Sequence, residues 1–501
     1  MEGNRIRGSV GGRGMAWLVV FCFLLAAEHV CAQPVDGANA SIPVLMVSDI
    51  HFEPFADPGK VARLAGAPAS QWKAILAGPA SPARAERFAA LQKSCHAKGV
   101  DTSYTLFASS LGAMRGDAAG AQFILLSGDL MSHKFSCKYA ALFPNATEAS
   151  YREFAVKTVD FVMDELRGAL PGVPVYAALG NNDSGCEDYK LDPNGAFLAD
   201  LAPTVTADVP EPERAQALKD FAAGGYYSVS LPAPMEHTRL LTIDDVFMSK
   251  KYETCGGKPD PAAAAAQIAW LKEQLEKAQS EHERVWVMSH IPPGVDPYST
   301  ISKFRNVCAG QKPEMFLSSE ALPDAMAEFG DTIKLAIFAH THMDELRLLE
   351  PASPGGDAGP VALKIVPSIT PVDGNNPSFV VARVDPATAA MTDYEVIAAS
   401  NQTGPNQTGP NQAGVDMKWG EEYDFDKTYD ETGFTAASLE KLVAGFRADP
   451  GARTAASESY LRDYFVGDES RLLTPFWGEY VCALGNDTEA GFKECTCAGN
   501  K

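Results

Sequence analysis

AQFILLSGDLMSHKF, residues 121–135, opens as an apolar run and closes as a polar cluster. Phe123 to Leu126 are four consecutive apolar residues, enough for a short buried strand, and the Ser-Gly-Asp behind them signals a turn. The same figure recurs in IPVLMVSDI (42–50), VPVYAALGN (173–181), RLLTIDDVF (239–247), RVWVMSHI (284–291) and KLAIFAHTH (334–342). Between these runs, YREFAVKTVDFVMDELRGAL (151–170) and AAAAAQIAWLKEQLEKAQSEHE (262–283) have helical character. Strands alternating with helices over residues 42–398 predict an α/β layered sandwich. Open α/β sheets place their ligands at the C-terminal ends of the strands, which is where each polar cluster falls.

Those clusters supply, in order, Asp49 and His51 (SDIH), Asp129 (SGD), Asn181, Asn182 and Asp183 (GNND), His290 (MSH), and His340 with His342 (AHTH). Residues two apart on a strand end point the same way, so Asp49 pairs with His51 and His340 with His342. Carboxylate, amide oxygen and imidazole suit zinc, manganese, iron or magnesium, and no thiolate takes part. One carboxylate between two such groups can bridge two cations about 3.5–4 Å apart. Any one of these fragments alone is weak: a D-x-H is commonly a turn and an H-x-H a surface pair. Five in this order, each directly after a strand, form a strong constellation.

The order D-x-H, G-D, G-N-x-[DE], H, H-x-H resembles that of calcineurin-like metallophosphoesterases. VSDIHFEPF, SGDLMSHKF, GGYYSVSL, QIAWLKEQLEKA, SHIPPG, FAHTHMDE and SITPVDGNNPSF look like the acid sphingomyelinase branch in particular. The resemblance implies a four-layer α/β/β/α sandwich with two divalent metal ions, zinc first, with manganese, iron or magnesium as alternatives. It implies that Asp49, His51, Asp129 and His342 bind one ion. Asp129, Asn181, His290 and His340 would bind the other, with Asp129 bridging. The saposin-like domain of the namesake enzyme is not expected, because a chain cleaved after Ala32 reaches its first strand at residue 42.

GNND departs from the Gly-Asn-His of many relatives: Asn182 stands where a histidine would help protonate the leaving group. The acid sphingomyelinase branch carries a second histidine four residues after the bridging Asp, and His133 matches it. His133 is therefore expected to be the general acid. Asn182 is expected to donate a hydrogen bond to phosphate, and Asp183 to orient a neighbour or serve as the acid itself. GNND also resembles the loop of endopolyphosphatase-type relatives, whose leaving group needs less protonation.

Residues 5–32 read as a secretory signal: Arg5, Arg7 and Arg13 precede AWLVVFCFLLAA, and VCAQ offers a cleavage site after Ala32. The apolar run is shorter than the ~20 residues that span a bilayer, and no later stretch approaches that length. Eight cysteines remain after cleavage, and an even count in an exported chain favours disulfides. The expected pairs are Cys255–Cys308, and Cys482 with Cys495 or Cys497. NQTGPNQTGPNQAG (401–414) marks a flexible linker at 399–416, and 417–501 is expected to be a small helical, cysteine-bearing subdomain. Asn39, Asn145, Asn401, Asn406 and Asn486 begin N-x-S/T acceptors for glycosylation. The net charge of −22 makes duplex nucleic acid a poor partner. The expected function is an exported phosphodiesterase acting on a lipid headgroup ester or a nucleotide, with peripheral contact to lipid. The alternatives are a polyphosphatase or phosphomonoesterase on the same metals, or a weakly active metal-bearing binding protein.

Overall fold

The computed structural model describes residues 41–351, 358–400, 417–466 and 473–498; the expected signal segment 1–32 and linker residues 401–416 lie outside them. The first strands are β1 Ile42–Val47, β2 Ile124–Leu126, β3 Val175–Ala177, β4 Tyr227–Ser230, β5 Thr238–Thr242 and β6 Arg284–Met288. They are followed by β7 Ile333–Phe338, β8 Glu345–Leu349, β9 Val361–Ile365, β10 Ser378–Asp385, β11 Ala390–Ser400 and β12 Lys418–Asp424. These make two six-stranded sheets, ordered β12-β11-β10-β1-β2-β3 and β4-β5-β6-β7-β9-β8. Within them β1, β2 and β3 run parallel, as do β5, β6, β7 and β9. All six strand expectations fall on strands of these parallel runs.

The sheets face each other through apolar side chains and a few satisfied polar ones. Phe123 at the entry to β2 meets Trp286 of β6 at 6.0 Å between ring centroids. Tyr227 of β4 is fully buried and its hydroxyl both accepts from Ala177 N and donates to Ala177 O of β3. Helices cover the outer faces. Glu148–Ala169 sets Phe154 and Phe161 against Trp72, and Pro261–Ser280 buries Leu271 and Leu275. The result is the four-layer α/β/β/α sandwich.

The C-terminal segment opens with an unexpected strand. β12 pairs antiparallel with β11 as the edge of the first sheet, and its first five residues are exposed or half-buried. Helices Ala436–Arg447 and Trp477–Leu484 then pack on β8 of the second sheet. Four disulfides join Cys95–Cys137, Cys186–Cys255, Cys308–Cys497 and Cys482–Cys495. The expected Cys255–Cys308 pair does not form. The chain around Cys255 docks on the loop after β3, with Leu191 N bonded to Glu253 O and Glu253 N to Tyr189 O, which brings Cys255 to Cys186 instead.

Candidate metal centre

Every predicted ligand sits in a loop that leaves a parallel strand. Asp49 and His51 follow β1, Asp129 follows β2, Asn181 follows β3, His290 follows β6, and His340 and His342 follow β7. Five of them have left-handed backbone, with φ of 44° at Asp49, 44° at His51, 54° at Asp129, 72° at His340 and 66° at His342. That conformation costs an L-residue roughly 1–2 kcal/mol, and it persists only where the surroundings over-determine it. Backbone bonds from Asp49 N to Gly128 O and from His51 N to Asp129 O lock the first two loops together. Glycine is required beside them. A Cβ on Gly180 would lie 2.2 Å from Asp129 Oδ1, and one on Gly128, itself at φ 97°, would lie 2.8 Å from His290 Nδ1.

These turns converge their donor atoms. Asp129 Oδ2 lies 3.4 Å from His51 Nε2 and 3.2 Å from His290 Nε2, between the two histidines. Asp49 Oδ1 lies 3.7 Å from His51 Nε2 and 3.5 Å from His342 Nε2, while His340 Nδ1 is 3.3 Å from His290 Nε2. Asp129, His290 and His340 form one group able to hold an ion; Asp49, His51 and Asp129 form another, and His51, His133 and His342 a third. The second ring nitrogens fix the orientation: His51 Nδ1 bonds to Met131 O and His290 Nδ1 to Ser127 O, which leaves each Nε2 facing the cluster. Asp49 Oδ1 and Asn181 Oδ1 are buried with no hydrogen-bond partner. A buried carboxylate or amide oxygen without a partner is costly, and a cation removes that cost. The donor set therefore fits divalent metal. Burial, then His290, brings His340 down to about 3.

His133 lies beside this centre. Its ring stacks on that of His51 with centroids 4.0 Å apart, and its side chain is one-third exposed. Asp101, which the sequence reading missed, holds it twice: His133 N donates to Asp101 Oδ2 at 2.9 Å, and Nδ1 lies 2.8 Å from Oδ1. Burial works against the imidazolium, but the Asp101 carboxylate outweighs it and raises His133 to about 9. Behind Asp101 lies the fully buried Lys138, paired with the equally buried Glu53.

The GNND loop is turned inward. Asn182 donates from N and from Nδ2 to the two oxygens of Asp129, each at 2.8 Å. Asp183 accepts from Leu130 N, Met131 N and Gly180 N, clamping the loops after β2 and β3. Burial and then Asp129 push it up to about 7, yet both its oxygens face backbone donors. Asn181 Nδ2 donates to Asp188, another residue that the sequence did not single out.

Beside His340 a pocket of about 340 Å³ opens, walled by Tyr189, Phe316, Tyr464, Phe465 and Tyr480, with Lys251 at one side. Lys251 donates to the Tyr189 hydroxyl at 3.1 Å. That hydroxyl lies 3.3 Å from His340 Nε2.

Residues 42–344, the span from β1 to the end of the H-x-H turn, match the calcineurin-like phosphoesterase family. The chain belongs to that family. Its members are metal-dependent hydrolases of phosphate esters. Among relatives, the sphingomyelinase phosphodiesterase C of Dictyostelium discoideum is 26% identical over 59% of this chain and 61% of its own length. Sphingomyelinase phosphodiesterase D of the same organism is 26% identical over 66% of each chain. The chain thus spans under two-thirds of the length of these two relatives. The cyclic GMP-AMP phosphodiesterase SMPDL3A of Bos taurus is 23% identical over 79% of this chain and 80% of its own.

Proposed function

We propose that the protein is an exported phosphodiesterase with two metal ions, of the acid sphingomyelinase-like type. The observation that carries this reading is the position of Asp129 Oδ2, 3.4 Å from His51 Nε2 and 3.2 Å from His290 Nε2. On this reading Asp49, His51, Asp129 and His342 hold one ion, and Asp129, Asn181, His290 and His340 the other. Two divalent cations, zinc first among candidates, supply a water of lowered pKa and neutralise charge developing on the phosphoryl oxygens. The four disulfides support an oxidising, extracellular destination. Of the two glycosylation acceptors among the described residues, Asn145 is exposed and the Asn486 amide donates to Cys482 O.

The chain's own residues divide the remaining work. His133 gives a proton to the leaving-group oxygen from Nε2, a reading supported by the Asp101 carboxylate at its Nδ1. Asn182 holds the bridging carboxylate in register from its side chain and backbone. The aromatic pocket receives one ester substituent. Its volume suits a headgroup or a nucleoside. Asp296, Glu345 and Asp373 line it against Lys251 and Arg347, and Arg347 is engaged with the Pro293 and Val295 carbonyls. A long polyanion finds little there, so the diester reading stands above the polyphosphatase one.

The test is a panel: the metal-loaded chain with a bis-aryl phosphate, an aryl phosphate, sphingomyelin, nucleotides and polyphosphate. Diesters should turn over fastest. Two bound metals with no turnover on any of them would defeat the proposal.

A further inference from the structure

Among the described residues, two large apolar side chains stand exposed, Phe304 at 90% and Tyr298 at 58%. They lie six residues apart on one segment: the short helix Pro297–Ser302 and its C-terminal turn. Tyr298 lines the pocket beside His340. Phe304 lies beyond that pocket lining, at the end of the turn.

Phe304 is placed there at a steric disadvantage. Its N–H donates to Ile301 O and that of Arg305 to Thr300 O, the bond pair of a Schellman turn with Phe304 at the left-handed position, φ 56°. Glycine adopts that position freely and phenylalanine does not. A bulky aromatic ring is thus held in solvent by a backbone that would be easier to make without it. The segment is also braced: Cys308–Cys497 pins it to the C-terminal helix Glu489–Cys497, and Lys303 and Arg305 both reach Glu314. A rigid projection loses little entropy on insertion.

Area and charge decide what it meets. Two aromatic side chains offer at most about 500 Å², below the roughly 800 Å² per partner of a stable protein interface. A lipid interface, by contrast, rewards single aromatic rings with neighbouring cations. Lys303 and Arg305, which share Glu314, flank Phe304, and Lys312, 80% exposed and paired with Glu489, lies in the same loop; these three cations face two carboxylates, on a chain whose net charge is −22. We infer that residues 298–312 form a membrane-docking rim: Phe304 and Tyr298 enter the headgroup layer of a phospholipid surface, with Lys303, Arg305 and Lys312 at phosphate level, and bring the pocket mouth to lipid-borne phosphodiesters. This inference rests on the proposed phosphodiesterase reading for its purpose, but not for its test.

The test uses the metal-loaded chain and Phe304→Gly, a variant that suits the left-handed turn and so keeps the fold. Co-sedimentation with phosphatidylcholine vesicles, with and without phosphatidylserine, should show wild-type binding that strengthens with the anionic lipid. Phe304→Gly should lose about tenfold in partitioning, with turnover of a soluble bis-aryl phosphate unchanged. Tyr298→Ala should weaken binding as well. Equal binding by wild type and Phe304→Gly, or no wild-type binding to either vesicle, would overturn the rim. So would a concentration-dependent dimer that Phe304→Gly abolishes, since the ring would then cover a second copy. Vesicle binding without turnover of any ester would leave the rim standing and defeat the enzyme reading; turnover without vesicle binding would do the reverse.

Discussion

Among the described residues, the two lysines with no exposed surface, Lys138 and Lys364, each pair with a carboxylate and do different work. Lys138 pairs with Glu53 and approaches Asp101, which in turn grips the partly exposed His133 at the metal centre. Lys364 of β9 pairs with Asp344 just before β8, and Asp344 also accepts from Tyr423 of β12, which meets the Tyr394 hydroxyl at 2.9 Å. Both lysines are fully buried, where an ion pair gains little over a well-packed apolar alternative. The first network leads out to a group that can exchange a proton. The second closes on itself among tyrosines and joins the edge strand of one sheet to the other sheet. Burial of charge alone does not mark function; a network does so when it ends on a reactive, accessible atom.

That contrast can be broken at several points. Asp129→Asn removes the shared carboxylate, and turnover should fall by about a thousandfold or more, read by steady-state assay on a bis-aryl phosphate. His133→Ala should cost about 10²–10⁴-fold on choline or alkyl leaving groups and much less on activated aryl ones. An equal loss on both would show that His133 is not the proton donor. Lys364→Met should remove about 3–5 kcal/mol of stability in denaturant unfolding, since it strands Asp344, while kcat of the folded protein stays at the wild-type value.

The smallest effect concerns pH. The folded pKa of His133 is raised to about 9, burial lowering it and Asp101 raising it by more. A raised histidine adds stability that is complete below its unfolded value near 6.5 and is lost as pH climbs through about 9. Activity on poor leaving groups should fall over that same alkaline limb, because the acid loses its proton. Asp101→Asn should move the limb to lower pH in a pH–rate profile; a limb that stays in place would detach Asp101 from His133.

The sequence was legible where the chemistry is local. Strand runs such as RVWVM carry their own signal, and five of the six lead to a polar residue that the structure brings to the centre. Left-handed backbone at Asp49, His51 and Asp129 left no such trace, since neither residue type demands it. Asp101 and Lys138 were invisible because they matter only through contacts with residues 32 and 85 positions away, His133 and Glu53. β12 escaped notice because KWGEEYD is an edge strand with a wet face, lacking the apolar run that revealed the others. The Cys255 pairing failed for the same reason as Asp101: loop docking is tertiary.

On the proposed reading, the phosphodiesterase needs two ions around Asp129. The most direct test is titration of the chelated chain with zinc or manganese while following bis-aryl phosphate hydrolysis. Two ions predict that activity rises until two equivalents are bound and that Asp129→Asn stays inactive throughout. Saturation at one equivalent, or no hydrolysis at any loading, would contradict it.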